Sequence, residues 1–251
     1  MKPVVHVFPD AEEMSRRAAE AVARSLRAAA ERAGRCSLLL SGGTTPRRLY
    51  ALLATEWRDQ VPWARVEVFW GDERLVPSGD PRSNYRMARE ALLDHVPCPA
   101  ANIHPVRTGF ADPADAARSY ETTLRGFFRE AWPRFDLALL GLGADGHTAS
   151  IFPGSPALDE PARWVMAVTA PAAPPARLTL TVPALARSAE TYFLVTGSSK
   201  ADALRQVFSG RADPRAYPAA AIRPDSGRTT WWVDREAAAG MSTSAPSSEQ
   251  P

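Results

Sequence analysis

An α/β domain is the fold the sequence predicts, with a mostly parallel sheet flanked by helices. Three observations carry that expectation. Short, mostly apolar runs at Cys36–Leu40, Val66–Trp70 and 137–140 are what strands covered on both faces require. Segments with apolar residues at helical spacing separate them. Each run also ends in a turn rich in glycine and polar residues, and open α/β sheets hold their ligands outside the carboxyl ends of the strands.

The elements follow in order. Val4–Phe8 is a short β-rich run closed by Pro9-Asp10. Asp10 with Glu13 fits a capping box; Met14, Ala18, Val22, Leu26 and Ala29 then recur at helical spacing until Gly34. After the strand at Cys36–Leu40, Pro46 sits in the first turn of a helix through about Ala54. Val66–Trp70 leads into Gly71-Asp72-Glu73-Arg74, read as a turn, and a loop runs on to Arg82. A short helix spans about 84–93 and an amphipathic one about 112–130. The strand at 137–140 ends in Gly141-Leu142-Gly143-Ala144-Asp145-Gly146-His147. Further strands are expected at 165–168, 178–182, 192–195 and 230–233, with a helix at 201–208. Residues 1–235 read as one domain, and 236–251, small and polar, as a disordered tail.

Composition removes several function classes. A formal charge of +2 on 251 residues makes a poor general nucleic-acid binder. No apolar stretch approaches the ~18 residues of a membrane span, and the N-terminus has no signal-peptide core, so a cytoplasmic protein is expected. Cys36 and Cys98 form no disulfide framework, and no His/Cys cluster has the spacing of a metal site. Only two of the 30 basic residues are lysine, Lys2 and Lys200. A single arginine therefore says little here, and an internal lysine says more.

Three turns carry the candidate chemistry. In Ser41-Gly42-Gly43-Thr44-Thr45-Pro46, glycines allow close backbone approach, and the N–H groups of a helix start attract phosphate; the plain alternative is an ordinary βα turn. The run Gly141-x-Gly143-x-x-Gly146 matches a dinucleotide fingerprint only nominally, since Pro153 and Pro156 leave no room for the long helix that must follow. It is better read as a turn that bares Asp145 and His147, the latter a candidate general base near pH 7. Asp72, Glu73 and Arg74 add two carboxylates and a fork donor at a second strand end. Lys200, in Gly197-Ser198-Ser199-Lys200 directly after a strand, offers a compact ammonium to an anion. Arg177 stands beside another strand and can bind phosphate bidentately.

Together the segments LSGGTTPRRLY (40–50), FWGDERLVPSGDPRSNYRMA (69–88), FDLALLGLGADGHTASIFPGSPAL (135–158), ARLTLTVPAL (176–185) and the GSSK turn resemble the 6-phosphogluconolactonase family, kin to the glucosamine-6-phosphate deaminases. The resemblance runs from about residue 3 to 235 in the expected order. It implies a Rossmann-like three-layer architecture and hydrolysis of 6-phospho-D-glucono-1,5-lactone, with neither metal nor organic cofactor. The expected partner is a small phosphorylated sugar lactone, with no nucleic acid and no membrane, and the chain is expected as a monomer or small homo-oligomer. The deaminase branch places a Glu about where Ile151-Phe152 stand, and no carboxylate occurs there. On this reading His147 is the general base, and Asp145 or Asp72 orients its imidazole. Ser41, Gly42, Gly43, Thr44 and Lys200 hold the phosphate, with Arg177 as a second contact. Arg74 serves the oxyanion or the phosphate. The rivals are a deaminase or isomerase, and a sugar-phosphate sensor without turnover.

Overall fold

The computed structural model describes residues 3–129, 131–224 and 226–241. Among them the strands are β1 (Val4–Phe8), β2 (Cys36–Leu40), β3 (Val66–Trp70), β4 (Asp72–Arg74), β5 (Leu137–Gly141), β6 (Val165–Thr169), β7 (Ala176–Leu180), β8 (Glu190–Val195) and β9 (Arg228–Asp234). The helices are α1 (Ala11–Ala33), α2 (Thr44–Thr55), α3 (Asn84–Ala91), α4 (Pro113–Phe128), α5 (Val182–Ala186) and α6 (Ala201–Val207).

Local chemistry accounts for the helix ends. The Asp10 carboxylate accepts from the Glu13 N–H at 2.9 Å and starts α1; Gly34, at φ +78°, ends it in the left-handed conformation that glycine adopts freely. Ser83 and Asp112 cap α3 and α4 in the same way. The buried stripe of α1 is mostly alanine, which lets its backbone lie close to the sheet.

Six strands pair in parallel throughout, in the order β1-β9-β8-β5-β2-β3. All five residues of β2 are buried, as a strand covered on both faces requires, and the one polar side chain among them, Ser37, donates to the Asp136 carboxylate. Alternation sorts the two faces. Trp232 packs with Tyr192 and Phe8 on the side of α1, whereas Trp231 stacks on Phe193 and meets Phe208, just past α6. On that second face Phe69 meets Phe127 of α4. Helices on both faces make three layers.

The turn expected at 71–74 is instead a strand. β4 joins a second, antiparallel sheet in the order β4-β7-β6. Gly71 links the two sheets: its N–H donates to the Leu40 carbonyl and its own carbonyl accepts from Leu180. Three-residue polar strands give no periodic signal, so only the partner strand reveals them. The strand expected at 178–182 runs instead over Ala176–Leu180: it starts earlier because Ala176 and Arg177 pair with Thr169 and Val168 of β6, and it stops earlier because Thr181-Val182-Pro183 turns into α5; Arg177 lies within β7 rather than before it. The boundary expected after residue 235 is also displaced. Residues 235–240 form turns, and Ala237 is buried, its N–H on the Asp234 carboxylate at 2.8 Å. The remainder of the expected tail, 242–251, lies outside the described residues.

Candidate active site

Sheet topology decides where the site lies. From β2 the chain moves outward to β3; from β5 it moves the other way, through β8 to β9. Strand order therefore reverses between β2 and β5, and the connections leaving their carboxyl ends diverge into a crevice. A cavity of about 300 Å3 opens there. Ser41, Gly42, Gly43 and Thr44 line it from the end of β2, Asp72 and Arg74 from β4, and His147 from the turn after β5. Arg177 reaches it from β7 and Lys200 from the turn after β8. Asp145 touches this constellation through His147.

The turn after β2 is held from behind. The buried Tyr50 hydroxyl accepts from the Ser41 N–H at 3.0 Å and donates to the Ser41 carbonyl at 2.9 Å. Burial pushes that phenol well above its ordinary pKa, so it stays a neutral donor. The Tyr120 hydroxyl makes the same two bonds to Trp70 at the end of β3. The Ser41 hydroxyl, buried and lining the cavity, has no hydrogen-bond partner among the described residues. Gly43, at φ +114°, precedes α2, whose start no side chain caps; Gly43, Thr44 and Thr45 all line the cavity. Uncapped N–H groups and the positive end of the helix dipole favour an anion there. The Thr45 and Thr196 hydroxyls, 2.6 Å apart, tie this turn to the end of β8. Beyond Thr196 the half-buried Lys200 donates its backbone N–H to the Gly197 carbonyl at 3.1 Å, while its ammonium makes no ion pair or hydrogen bond among the described residues.

In the turn after β5, His147 Nδ1 lies 2.5 Å from Asp145 Oδ1, which also accepts the His147 backbone N–H at 3.1 Å. The bond to His147 holds the Asp145 carboxyl below its usual range. An ionised carboxylate on Nδ1 makes that nitrogen the donor and leaves Nε2 as the basic one. Gly143 makes room for the pair: a Cβ there would stand 2.0 Å from His147 Nδ1 and 2.5 Å from Asp145 Oδ1. The Phe152 ring centroid lies 4.7 Å from that of the imidazole.

Asp72 is occupied elsewhere. Its Oδ2 accepts from Ser150 Oγ at 2.6 Å and its Oδ1 from Asn84 Nδ2 at 3.3 Å, so Asp145, not Asp72, is the hydrogen-bond partner of the imidazole. Glu73 turns away from the cavity. It caps α3, accepting the Asn84 and Tyr85 N–H groups at 2.7 and 2.8 Å, together with the Ser83 hydroxyl. Burial raises its pKa against the pull of those donors. Arg74 and Arg177 face one another in register across β4 and β7. Burial, and then the charge of Arg74, push the Arg177 pKa down; two adjoining guanidinium groups call for an anion between them.

Asn84, Ser150 and Tyr50 went unmarked in the sequence. Each acts through a partner at least nine residues away, at 72 or 41, and no local pattern announces such a bond. A larger groove, about 930 Å3, lies along α1 at the amino ends of β8 and β9. Its carboxylates are already engaged, Glu190 with Ser25, Tyr192 and Arg228, and Asp136 with Arg32 and Ser37. The chemistry therefore belongs to the smaller cavity. Among the described residues no three His, Cys, Asp or Glu side chains gather as a metal-binding group, and no helix is long and apolar enough to cross a membrane.

Comparison with known proteins places the chain among relatives of one family. The family model for glucosamine-6-phosphate isomerases/6-phosphogluconolactonase matches residues 9–231. A 6-phosphogluconolactonase of Synechocystis sp. is 45% identical over 240 residues, 94% of this chain and 98% of its own. One of Mycobacterium tuberculosis is 40% identical over 250 residues, covering 96% and 99%. The solved 6-phosphogluconolactonase from Trypanosoma cruzi superposes with a TM-score of 0.84 at 32% identity, over 96% of this chain and 97% of that one.

Proposed function

The chain belongs to the glucosamine-6-phosphate isomerase/6-phosphogluconolactonase family, and from that premise we propose that it hydrolyses 6-phospho-D-glucono-1,5-lactone to 6-phosphogluconate, in the oxidative pentose phosphate pathway. One observation carries the reading: a histidine with a carboxylate on Nδ1 lines the same cavity as an uncapped helix start and a lysine whose ammonium has no partner among the described residues. The phosphate lies against Ser41, Gly42, Gly43, Thr44 and Lys200, and this sets the lactone carbonyl near His147.

The reaction then runs in two proton transfers. Nε2 of His147 takes a proton from water as the oxygen bonds to C1, and the carbonyl becomes an oxyanion. Arg74, whose Nε is buried without a partner among the described residues, stabilises that charge, and Arg177 opposite it is a second contact for the phosphate. The C1–O5 bond breaks as the imidazolium returns its proton to the ring oxygen. Asp145 keeps the imidazole in one tautomer and stabilises its cationic form. Phe152 beside the imidazole, in place of a carboxylate, supports lactone hydrolysis over deamination. A cytoplasmic monomer or small homo-oligomer goes with this reading, acting on a small phosphorylated sugar with no nucleic acid, membrane or cofactor.

A spectrophotometric assay of lactone hydrolysis, with and without EDTA, tests it. Turnover should survive the chelator. His147→Ala should lower it by about 10²–10⁴-fold, the usual worth of a general base, while 6-phosphogluconate still binds. Native turnover in His147→Ala would remove the assigned base.

A further inference from the structure

Asp72 is a buried carboxylate that the steps above leave unused. It is 6% exposed, lines the cavity, and has a donor on each oxygen. One donor, Ser150 Oγ at 2.6 Å, belongs to the His147 turn and is fully buried; the Ser150 N–H is itself held by Thr179 Oγ1 at 3.2 Å. Thr179 stands opposite Asp72 in the β4–β7 register. The other donor, Asn84 Nδ2, bonds both the Asp72 carbonyl, at 3.0 Å, and its Oδ1. Asn84 is fixed in turn by Glu73, through its backbone N–H.

Asn84 also reaches the phosphate side of the cavity. Its amide fills the space a side chain on Gly42 would take, since a Cβ there would lie 1.9 Å from Asn84 Oδ1 and 2.4 Å from its Cγ. One amide therefore packs against the Gly42 backbone and holds the Asp72 carboxylate. Buried networks in which every member is satisfied rigidify a site, and losing one donor leaves the carboxylate under-bonded.

We infer that Asn84 and Ser150 are positioning residues that fix Asp72 as a rigid acceptor for the substrate's ring hydroxyls, in register with the Gly42 turn and with His147. The inference rests on the lactonase reading. Asp72 transfers no proton on this account. It selects a polyhydroxylated ring, and Ser150 and Asn84 act only through it.

A double-mutant cycle tests this with Ser150→Ala, Asp72→Asn and the pair, and again with Asn84→Ala in place of Ser150→Ala. Each single change should lower kcat/KM by about 10- to 100-fold, chiefly through KM, as expected for loss of a hydrogen bond to a charged group. In the Asp72→Asn background, Ser150→Ala and Asn84→Ala should each cost less than about twofold, because the group they position is already gone. Equal losses in both backgrounds, or a loss confined to kcat, would overturn the inference. Thermal unfolding of each variant identifies any that fails to fold, and the other arm of the cycle then decides. If the unaltered protein turned over no lactone, the proposed function would fail separately. The cycle would then be read on 6-phosphogluconate affinity by calorimetry, where equal losses in both backgrounds would again overturn the inference.

Discussion

Gly143→Ala isolates the Asp145–His147 geometry without touching either residue. The added Cβ would stand 2.0 Å from His147 Nδ1 and 2.3 Å from its Cε1, where ordinary contact begins at 3.4 Å. The imidazole must therefore retreat by about 1.4 Å or rotate away from the cavity. A displacement of about 1 Å of a catalytic group costs on the order of 10²-fold in rate, so kcat should fall by at least about 100-fold. Stability should barely change. Gly143 does not hold a left-handed φ, so alanine can take its backbone, and the two side chains are 34% and 42% exposed and free to swing into water. That places the stability change within about 1 kcal/mol. Lactone hydrolysis measured beside thermal unfolding separates the two effects. A folded Gly143→Ala protein with native kcat would refute the claim that the pair must sit where it does.

Further expectations concern the cavity walls. Lys200→Ala should raise KM about 10- to 100-fold with little change in kcat, since a charge-assisted contact to a remote phosphate binds substrate and transition state alike; steady-state kinetics decide this. Tyr50→Phe leaves the N–H and carbonyl of Ser41 unpaired in a buried setting, at a cost of about 2–4 kcal/mol in chemical denaturation, and should also raise KM as the turn loosens. The Asp145 pKa is depressed by its bond to His147, so the stability it contributes is present above the ordinary carboxylate range. That stability is lost as pH falls through the lowered value, and a pH series of unfolding curves on Asp145→Asn should lack this acid loss.

The parallel sheet was legible because its strands announce themselves. A strand covered on both faces must be apolar throughout, and Cys36-Ser37-Leu38-Leu39-Leu40 and Leu137-Ala138-Leu139-Leu140 come close to that rule. The second sheet was not legible. Asp72-Glu73-Arg74 is polar, three residues long, and a strand only because β7 lies beside it. The same limit applied to Arg177, whose place opposite Arg74 depends on the register of that pairing.

Of the site, the sequence by itself determined the inventory and the end of the sheet where it gathers. Glycine turns after buried strands, a His beside an Asp, and one lysine in an arginine-rich chain are local facts, and local facts are what a sequence records. The tertiary structure alone decided the assignments. It gave the imidazole to Asp145, turned Glu73 onto the first N–H groups of α3, and set Asp72 between Ser150 and Asn84. Each of those choices depends on a hydrogen-bond distance, and such a distance exists only once strands far apart in the chain have been brought side by side.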